Sequence, residues 1–466
     1  MDKSPIAAIA KHFAVSVTPA SFSSKVLRFR NQFWARNVNL GTLSTAQWLS
    51  CFGDFTPLPD NVARPMALKY HGHQFGTYNP QLGDGRGFLF AQIEGVDGRL
   101  FDLGTKGSGQ TPFSRNGDGR LTLKGGVREI LAATYLEALG VNTSKAFSLI
   151  ETDEQLHRTD EPSPARGSVL VRLSRSHIRF GTFQRAAHHK DTQAMDALVS
   201  YCATWFYPEI NALPVREKTT ALLREISEAT ARMIGQWMAS GFVHGVMNTD
   251  NFNITGETFD FGPWRFLPHS DPNFVAAYFD ENGLYRFGRQ PVQGLWALQQ
   301  LASSLLLLND DADALAEALS TYEETYQRSF NDHTHRLLGV HPLPDHAANL
   351  TFLQNLFGWM TTSQANWPQT FFDWFCGAAS TERAETSPQA NLYQDDAFVV
   401  VRHALLARKP DRPERLRHPY FSHSTPVSLL VDDVEGLWEP ISKTNDWSAF
   451  EAKMAHLEAA RIALAL

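Results

Sequence analysis

His244-Gly-Val-Met-Asn-Thr-Asp250-Asn251, followed nine residues after Asn251 by Asp260-Phe-Gly262, is the stretch from which the rest of the chain can be read. A histidine and an asparagine at this spacing, with Asp-Phe-Gly downstream, mark a loop that supplies a base and then metal ligands. The base belongs two positions after the histidine, and that position is Val246. Valine neither takes a proton nor orients a hydroxyl. A second carboxylate, Asp250, stands directly beside Asn251 instead.

In protein kinases the same pattern follows a long helix of the larger lobe, and it does so here. Leu222, Leu223, Ile226, Met233, Ile234 and Trp237 recur at helical spacing and stop near Gly241. Upstream, from about residue 68 to 180, the chain is Gly-rich and strand-like. Phe88–Ile93, Leu100–Thr105 and Ser168–Leu173 are short apolar runs, expected to be strands. One helix interrupts them, carried by Val127, Ile130, Leu131, Thr134 and Ala138 and stopped by Gly140. The expected fold is therefore α+β and protein-kinase-like: a small β-rich N-lobe over residues 61–184 and a larger, mostly helical C-lobe over 185–466. Residues 1–60 read as an irregular arm packing on that core. Residues 376–392 read as an exposed loop, and a C-terminal helix is expected from about Trp447.

Composition narrows the class of function. The 466 residues are 43% hydrophobic and 20% charged, an ordinary globular balance. A formal net charge of −7 excludes a general nucleic-acid binder, which needs a basic surface. The N-terminus lacks the layout of a signal peptide, and the run Leu305–Leu308 is too short to span a bilayer. Cys51, Cys202 and Cys376 give neither a disulfide framework nor a zinc pattern. A soluble, cytoplasmic protein with reduced, structural cysteines is the expectation.

Further motifs lie in order along the first lobe. Gly83-Asp-Gly85-Arg86-Gly87 precedes a strand; such a turn closes a hairpin or lets backbone N–H groups approach phosphates, with Arg86 adding charge. Lys106 ends a strand, and Glu129 on the following helix is its candidate partner. Asp118 and Gly119 form another turn that serves either as plain turn chemistry or at a nucleotide. Arg172, with Arg175 and Arg179 nearby, sits in an apolar strand and so needs an anion, either a protein carboxylate or a phosphate. Asn251 and Asp260 are hard oxygen ligands of the kind that hold magnesium on a nucleotide. His71 and His73, without a third ligand, read as turn or packing residues.

These strings, with Tyr70-His-Gly-His-Gln-Phe-Gly76, Gly104-Thr-Lys-Gly-Ser-Gly-Gln-Thr-Pro-Phe-Ser-Arg115 and Arg172-Leu-Ser-Arg-Ser-His-Ile-Arg-Phe-Gly-Thr-Phe183, resemble the selenoprotein O family of pseudokinases over about residues 60–300. The resemblance implies a kinase-like fold that binds ATP in a flipped orientation and transfers AMP to Ser, Thr or Tyr hydroxyls of proteins, with UTP as a further donor and magnesium or manganese as the metal. It implies that Gly83, Gly85, Arg86, Lys106, Asp118, Gly119, Arg172 and Arg179 line the nucleotide and that Lys106 pairs with Glu129. It further implies that Asp250 accepts the proton and that Asn251 and Asp260 hold metal. The family's cysteine or selenocysteine near the C-terminus has no counterpart here, since the last cysteine is Cys376. Two other functions stay open on the residues alone: a phosphotransferase using Asp250 as a displaced base, and an inactive nucleotide-binding scaffold.

Overall fold

Alternating apolar side chains in the first 180 residues build one curled antiparallel sheet, and the remainder of the chain is mostly helical. The computed structural model describes residues 4–159 and 161–466. The strands are β1 (Ala14–Ser16), β2 (Lys25–Arg30), β3 (Met66–Leu68), β4 (Gly72–Gln74), β5 (Thr77–Asn79), β6 (Leu89–Glu94), β7 (Leu100–Lys106), β8 (Leu121–Thr122), β9 (Lys145–Leu156), β10 (Ala165–Ser174), β11 (Phe242–Val243) and β12 (Arg265–Phe266). The main sheet runs β1-β3-β6-β7-β10-β9-β2, with β8 against β10, while β4–β5 and β11–β12 form separate ribbons. The strands expected near residues 88–93, 100–105 and 168–173 are β6, β7 and β10; β6 is shifted by one residue, β7 is longer by one and β10 by four.

The expected helix is Leu123–Ala138. The Thr122 hydroxyl caps it by accepting from the Gly125 N–H, and Gly140 ends it in the left-handed region at φ 72°. Val127, Ile130, Leu131 and Ala138 are buried on its sheet-facing side. The approach is close: a Cβ on Gly126 would lie 2.4 Å from Leu149 Cδ1 of β9. Only glycine lets the helix sit this near the sheet, and that distance later brings Glu129 to Lys106. On the opposite face of the sheet, Trp48, Phe52, Phe90 and Phe147 pack ring against ring in tilted and edge-to-face pairs and are almost fully buried. Each contributes about 2–3 kcal/mol of apolar burial.

Residues 4–60 are more ordered than their composition indicates. They contain helices Ala7–Phe13, Gln32–Asn37 and Thr45–Gly53 and provide β1 and β2, the two outer strands of the sheet. Backbone pairing with β3 and β9 overrides the Pro- and Ser-rich character of this stretch. The other correction concerns 376–392. Instead of an exposed loop it holds a short helix, Thr381–Glu385, between 3-10 turns, and Cys376, Ser380 and Ala384 are buried. Turn-forming residues marked that segment correctly as irregular but said nothing of its depth.

In the helical region Val215–Ala239 packs along Thr321–Leu337, and Gln290–Leu305 lies against both Val215–Ala239 and Phe180–His188. Val215–Ala239 stops at Gly241, φ 66°, as the sequence indicates. The C-terminal helix Ser448–Leu464 docks on Leu123–Ala138. Among the described residues no helix is long and apolar enough to cross a membrane.

Two glycines give opposite expectations. A Cβ at Gly87 would fall 1.9 Å from the Thr105 carbonyl oxygen, so Gly87→Ala is expected to cost about 1–3 kcal/mol through overpacking. Gly358 lies inside helix His346–Ser363 with nothing within 4 Å of a Cβ, so Gly358→Ala is expected to stabilise by up to about 1 kcal/mol. Denaturant midpoints of the two variants against the parent check both signs.

Candidate active site

The two halves of the opening motif are separated in sequence but clamped together by the smallest sheet in the molecule. β11 pairs antiparallel with β12, Phe242 against Phe266 and Val243 against Arg265, so the intervening loop folds back on itself. His244 lies under this loop, stacked on Trp237 with ring centroids 5.3 Å apart. Its Nε2 is 3.0 Å from the Phe259 carbonyl, and its backbone N–H donates to Gln290. Burial lowers its pKa, so His244 acts as a neutral strut that ties residue 244 to residue 259. The 3-10 turn Thr249–Asn251 then presents Asp250, and Asp260 takes up φ 56°, a left-handed conformation that a non-glycine residue holds only under local constraint.

Asp260 is the meeting point. Lys106 Nζ from the end of β7 lies 2.9 Å from its Oδ1, and Arg172 Nη1 from β10 lies 3.3 Å from the same oxygen. Arg179, which precedes helix Phe180–His188, donates to Oδ2 at 2.9 Å. Lys106 is also bonded to Glu129. Strand register explains the convergence. Lys106 faces Leu170 across the β7–β10 pair, and Arg172 is two residues further along β10, so both side chains leave the same face of the sheet. Phe259 completes the packing, with Arg172 and Arg179 over its ring at 4.4 and 4.6 Å. Burial alone would raise the Asp260 pKa, but Lys106, Arg172 and Arg179 outweigh it and hold the carboxyl well below the usual range.

Above this cluster opens a cavity of about 730 Å³. The glycine loop forms one wall, and residues 109–119 fold over it. Thr111 Oγ1 donates to the Asp84 carbonyl at 2.5 Å, and Ser114 Oγ donates to the Gly85 carbonyl. Gly83 is required by contact rather than by φ: a Cβ there would lie 2.3 Å from the Phe113 ring. Gly119, at φ 71°, passes so close to Gly109 that its Cβ would come within 2.3 Å of it. Of the residues singled out from sequence, Gly83, Gly85, Arg86, Lys106, Asp118, Gly119, Arg172, Arg179, Asp250 and Asp260 line this one cavity. Asp118 sits at its rim, exposed and paired with Arg158 at 2.7 Å.

Glu129 lies behind Lys106 rather than on the cavity wall. Asn251 donates its side-chain N–H to the Val246 carbonyl at 3.0 Å, which leaves its oxygen as the atom able to meet a cation. Asp250 is buried, and its Oδ1 has no hydrogen-bond partner within the protein. Burial raises its pKa to about 6, against the opposing charge of Arg179.

Sequence reasoning missed three contributors. Asp84, inside the glycine loop, accepts from the Leu68 N–H at 2.9 Å and faces Arg179 at 3.5 Å. Its place between two glycines was the available signal. Arg115 lines the cavity at φ 53°, and its charge reaches Asp250. The β4–β5 hairpin supports the catalytic-type loop: a Cβ on Gly72 would lie 2.7 Å from Asp250 Oδ1, and the His73 N–H donates to Thr249 Oγ1 at 2.7 Å. His71 and His73 are hydrogen-bonded to Tyr78, Arg185 and Gln184, in keeping with a packing role.

A deep cationic floor under a glycine-lined wall, with a buried carboxylate oxygen left without a hydrogen bond at its edge, is the chemistry of an enzyme that handles a nucleotide. The model of the family described as "Protein adenylyltransferase SelO" matches residues 3–458. The chain therefore belongs to the SelO family. It is 39% identical over 464 residues to a protein of Synechocystis sp. named "Protein nucleotidyltransferase YdiU", covering 97% of this chain and 96% of that one. A protein of the same name from Gloeobacter violaceus is 40% identical, covering 93% and 90% of the two chains. That from Vibrio atlanticus is 40% identical over 66% of this chain and 62% of its own.

Asp260→Ala is expected to destabilise the protein, because Lys106, Arg172 and Arg179 then lose the carboxylate they share and keep Glu129, Asp84 and Asp250 as nearby anions in a buried setting. Added ATP is expected to restore part of the lost thermal midpoint by supplying phosphate oxygens to the same cations. An unchanged midpoint without ATP would show that the carboxylate does not hold the cluster.

Proposed function

We propose that this chain transfers the adenylyl group of ATP to hydroxyls of Ser, Thr or Tyr on protein acceptors, with UTP as an alternative donor, from a protein-kinase-like two-lobed fold. It is a protein nucleotidyltransferase by family. In this reading residues 61–184 form the smaller lobe and 185–466 the larger, with 1–60 bracing the sheet. The observation that carries it is the pairing of a cationic cluster around Asp260 with a buried Asp250 whose Oδ1 has no hydrogen-bond partner, while Val246 fills the position of an ordinary kinase base.

Lys106, Arg172 and Arg179 would bind the triphosphate, sharing their charge between phosphate oxygens and Asp260. Glu129 would keep Lys106 directed at the site. Gly83, Gly85 and Gly119 would allow the backbone to close on the nucleotide, and Arg86 and Asp118 would act at the rim. The acceptor oxygen attacks the α-phosphorus, the bond from that phosphorus to the α,β-bridging oxygen breaks, and pyrophosphate departs. The hydroxyl proton passes to Asp250, whose burial makes it a better base than an exposed aspartate. The fixed cations would stabilise charge on the leaving pyrophosphate.

The oxygen donors of Asn251 and Asp260 fit a hard divalent cation such as magnesium or manganese. Among the described residues no group of three or more His, Cys, Asp or Glu is placed to hold a metal ion, so the remaining ligands would be phosphate oxygens and water. Such an ion would neutralise charge on the triphosphate. Three free cysteines, two of them buried, fit a reducing cytoplasmic setting, and burial pushes Cys376 up to about 11, which disfavours it as a redox switch.

ATP labelled at the α- or γ-phosphate and incubated with whole-cell protein tests the reading. Label from the α-position alone is expected on protein, and label from the γ-position would overturn it in favour of a kinase. Val246→Asp is expected to give no γ-transfer, because in a flipped nucleotide the γ-phosphate points away from the acceptor. Asp250→Ala should lose α-transfer with ATP affinity nearly unchanged, as a base acts on the transition state more than on binding.

The pH profile follows from the raised pKa. Asp250 must be ionised to accept a proton, so kcat/KM should fall tenfold per pH unit below about 6 and level off above it. A profile that stays flat down to pH 4.5 would remove Asp250 as the base.

A further inference from the structure

The β4–β5 hairpin has a second face that the chemistry above does not use. Tyr70 and Gln74 line the nucleotide cavity, and the next residue, Phe75, turns outward at φ 50° with Gly76 following at φ 78°. A phenylalanine in the left-handed region at a hairpin tip costs stability and persists only where the surroundings enforce it. Here they do. The Phe75 N–H is 3.2 Å from both Asn248 Oδ1 and the Tyr285 hydroxyl, and Tyr285 itself donates to Asn248 at 2.8 Å. Asn248 stands two residues before Asp250. The tip of the hairpin is thus bolted to the loop that carries the proposed base.

The ring held out in this way is not isolated. Phe75 packs on Tyr285 at 4.9 Å and on Phe279 at 5.9 Å, and Phe279 meets Tyr278 at 5.1 Å. Phe75 is 39% exposed, Phe279 48% and Tyr278 84%, so three of the five exposed aromatic residues among those described form one contiguous ridge at the edge of the site. Large rigid apolar side chains left in water beside a reaction centre mark a contact surface, since aromatics supply binding area at little cost in conformational entropy. A nucleotide does not explain the ridge, because none of Phe75, Tyr278 and Phe279 lines the cavity.

We infer that the Phe75–Phe279–Tyr278 ridge is the docking surface for the acceptor polypeptide, and that it takes an apolar side chain a few residues from the modified hydroxyl. The inference rests on Asp250 as the base, which fixes the side from which the hydroxyl enters. Continuity decides the occupant: the ridge joins the Asp250 loop through Asn248 and Tyr285, so a chain placing a hydroxyl at Asp250 passes over it. The ridge carries no charge of its own, which selects for apolar rather than charged flanking residues. Specificity would therefore lie in a short hydrophobic register rather than in a sequence of charges.

The test uses synthetic peptides with one central Tyr, Thr or Ser in a Gly/Asn/Lys background free of other hydroxyls, and a single Leu or Phe placed in turn at each of the three positions on either side. Transfer from α-labelled ATP is measured for the full-length protein and for Tyr278→Ser/Phe279→Ser, two exposed positions whose replacement leaves the core untouched. One peptide register is expected to raise kcat/KM about tenfold, mainly through KM, in the parent. That preference should shrink to within about twofold in the double variant, while peptides lacking the apolar residue are modified equally by both. Phe75→Leu, which keeps an apolar tip, should retain most of the preference. An unchanged preference in the double variant, or no preference in the parent, overturns the ridge as the docking surface. Failure of the parent to label any peptide or protein from the α-position would instead sink the adenylyl-transfer reading and the inference with it.

Discussion

The convergence of Lys106, Arg172 and Arg179 on the Asp260 carboxylate is the constraint on which the arrangement depends. Three cations drawn from two strands and a helix start belong to the sheet region, while Asp260 belongs to the loop that closes the helical region. No one of these charges would be tolerated singly at such depth, since an unpaired buried ion costs several kcal/mol. Together they satisfy one another and fix the relative positions of β7, β10 and the 244–262 loop. A site built this way is rigid before substrate arrives, which is what transition-state stabilisation by fixed charges requires.

The same economy governs the roof and the support. Glycines at 83, 87 and 119 occur where backbone meets backbone or an aromatic ring at distances that a Cβ would violate, so the cavity wall is thin and close-fitting. Gly72 does the corresponding work on the other side, admitting the Asp250 carboxylate without providing it a hydrogen bond. Leaving that oxygen without a partner in a buried position is unfavourable for folding and favourable for basicity. Here stability yields to chemistry.

Much of this was legible in the chain. Lys106, Arg172 and Asp260 stand out as charges in apolar surroundings, and burial of such groups demands partners. The helix carrying Glu129 follows from period and from Gly140, and β6, β7 and β10 from bounded apolar runs. Less was visible where the cause is non-local. Residues 1–60 lack strand-like alternation, yet β1 and β2 form because β3 and β9 offer free edges. Residues 376–392 have the composition of a surface loop, yet Cys376, Gly377, Ser380, Ala384 and Gln389 within it are buried. Asp84 and the 70–79 hairpin escaped notice as site elements, because nothing in their own sequence says which loop they will touch.

By itself the sequence determined the inventory: which charges must be paired, which turns need glycine, where helices begin and end, and that Val246 stands where an ordinary kinase base would, with a second carboxylate at Asp250. These are properties of residues and their near neighbours. Only the tertiary structure decided the partnerships. That Asp260 gathers three cations at once and that Phe75 is carried to the Asp250 loop depend on contacts between segments 81 to 173 residues apart. Such pairings are set by strand register and by the packing of helix on sheet, and no local pattern encodes them.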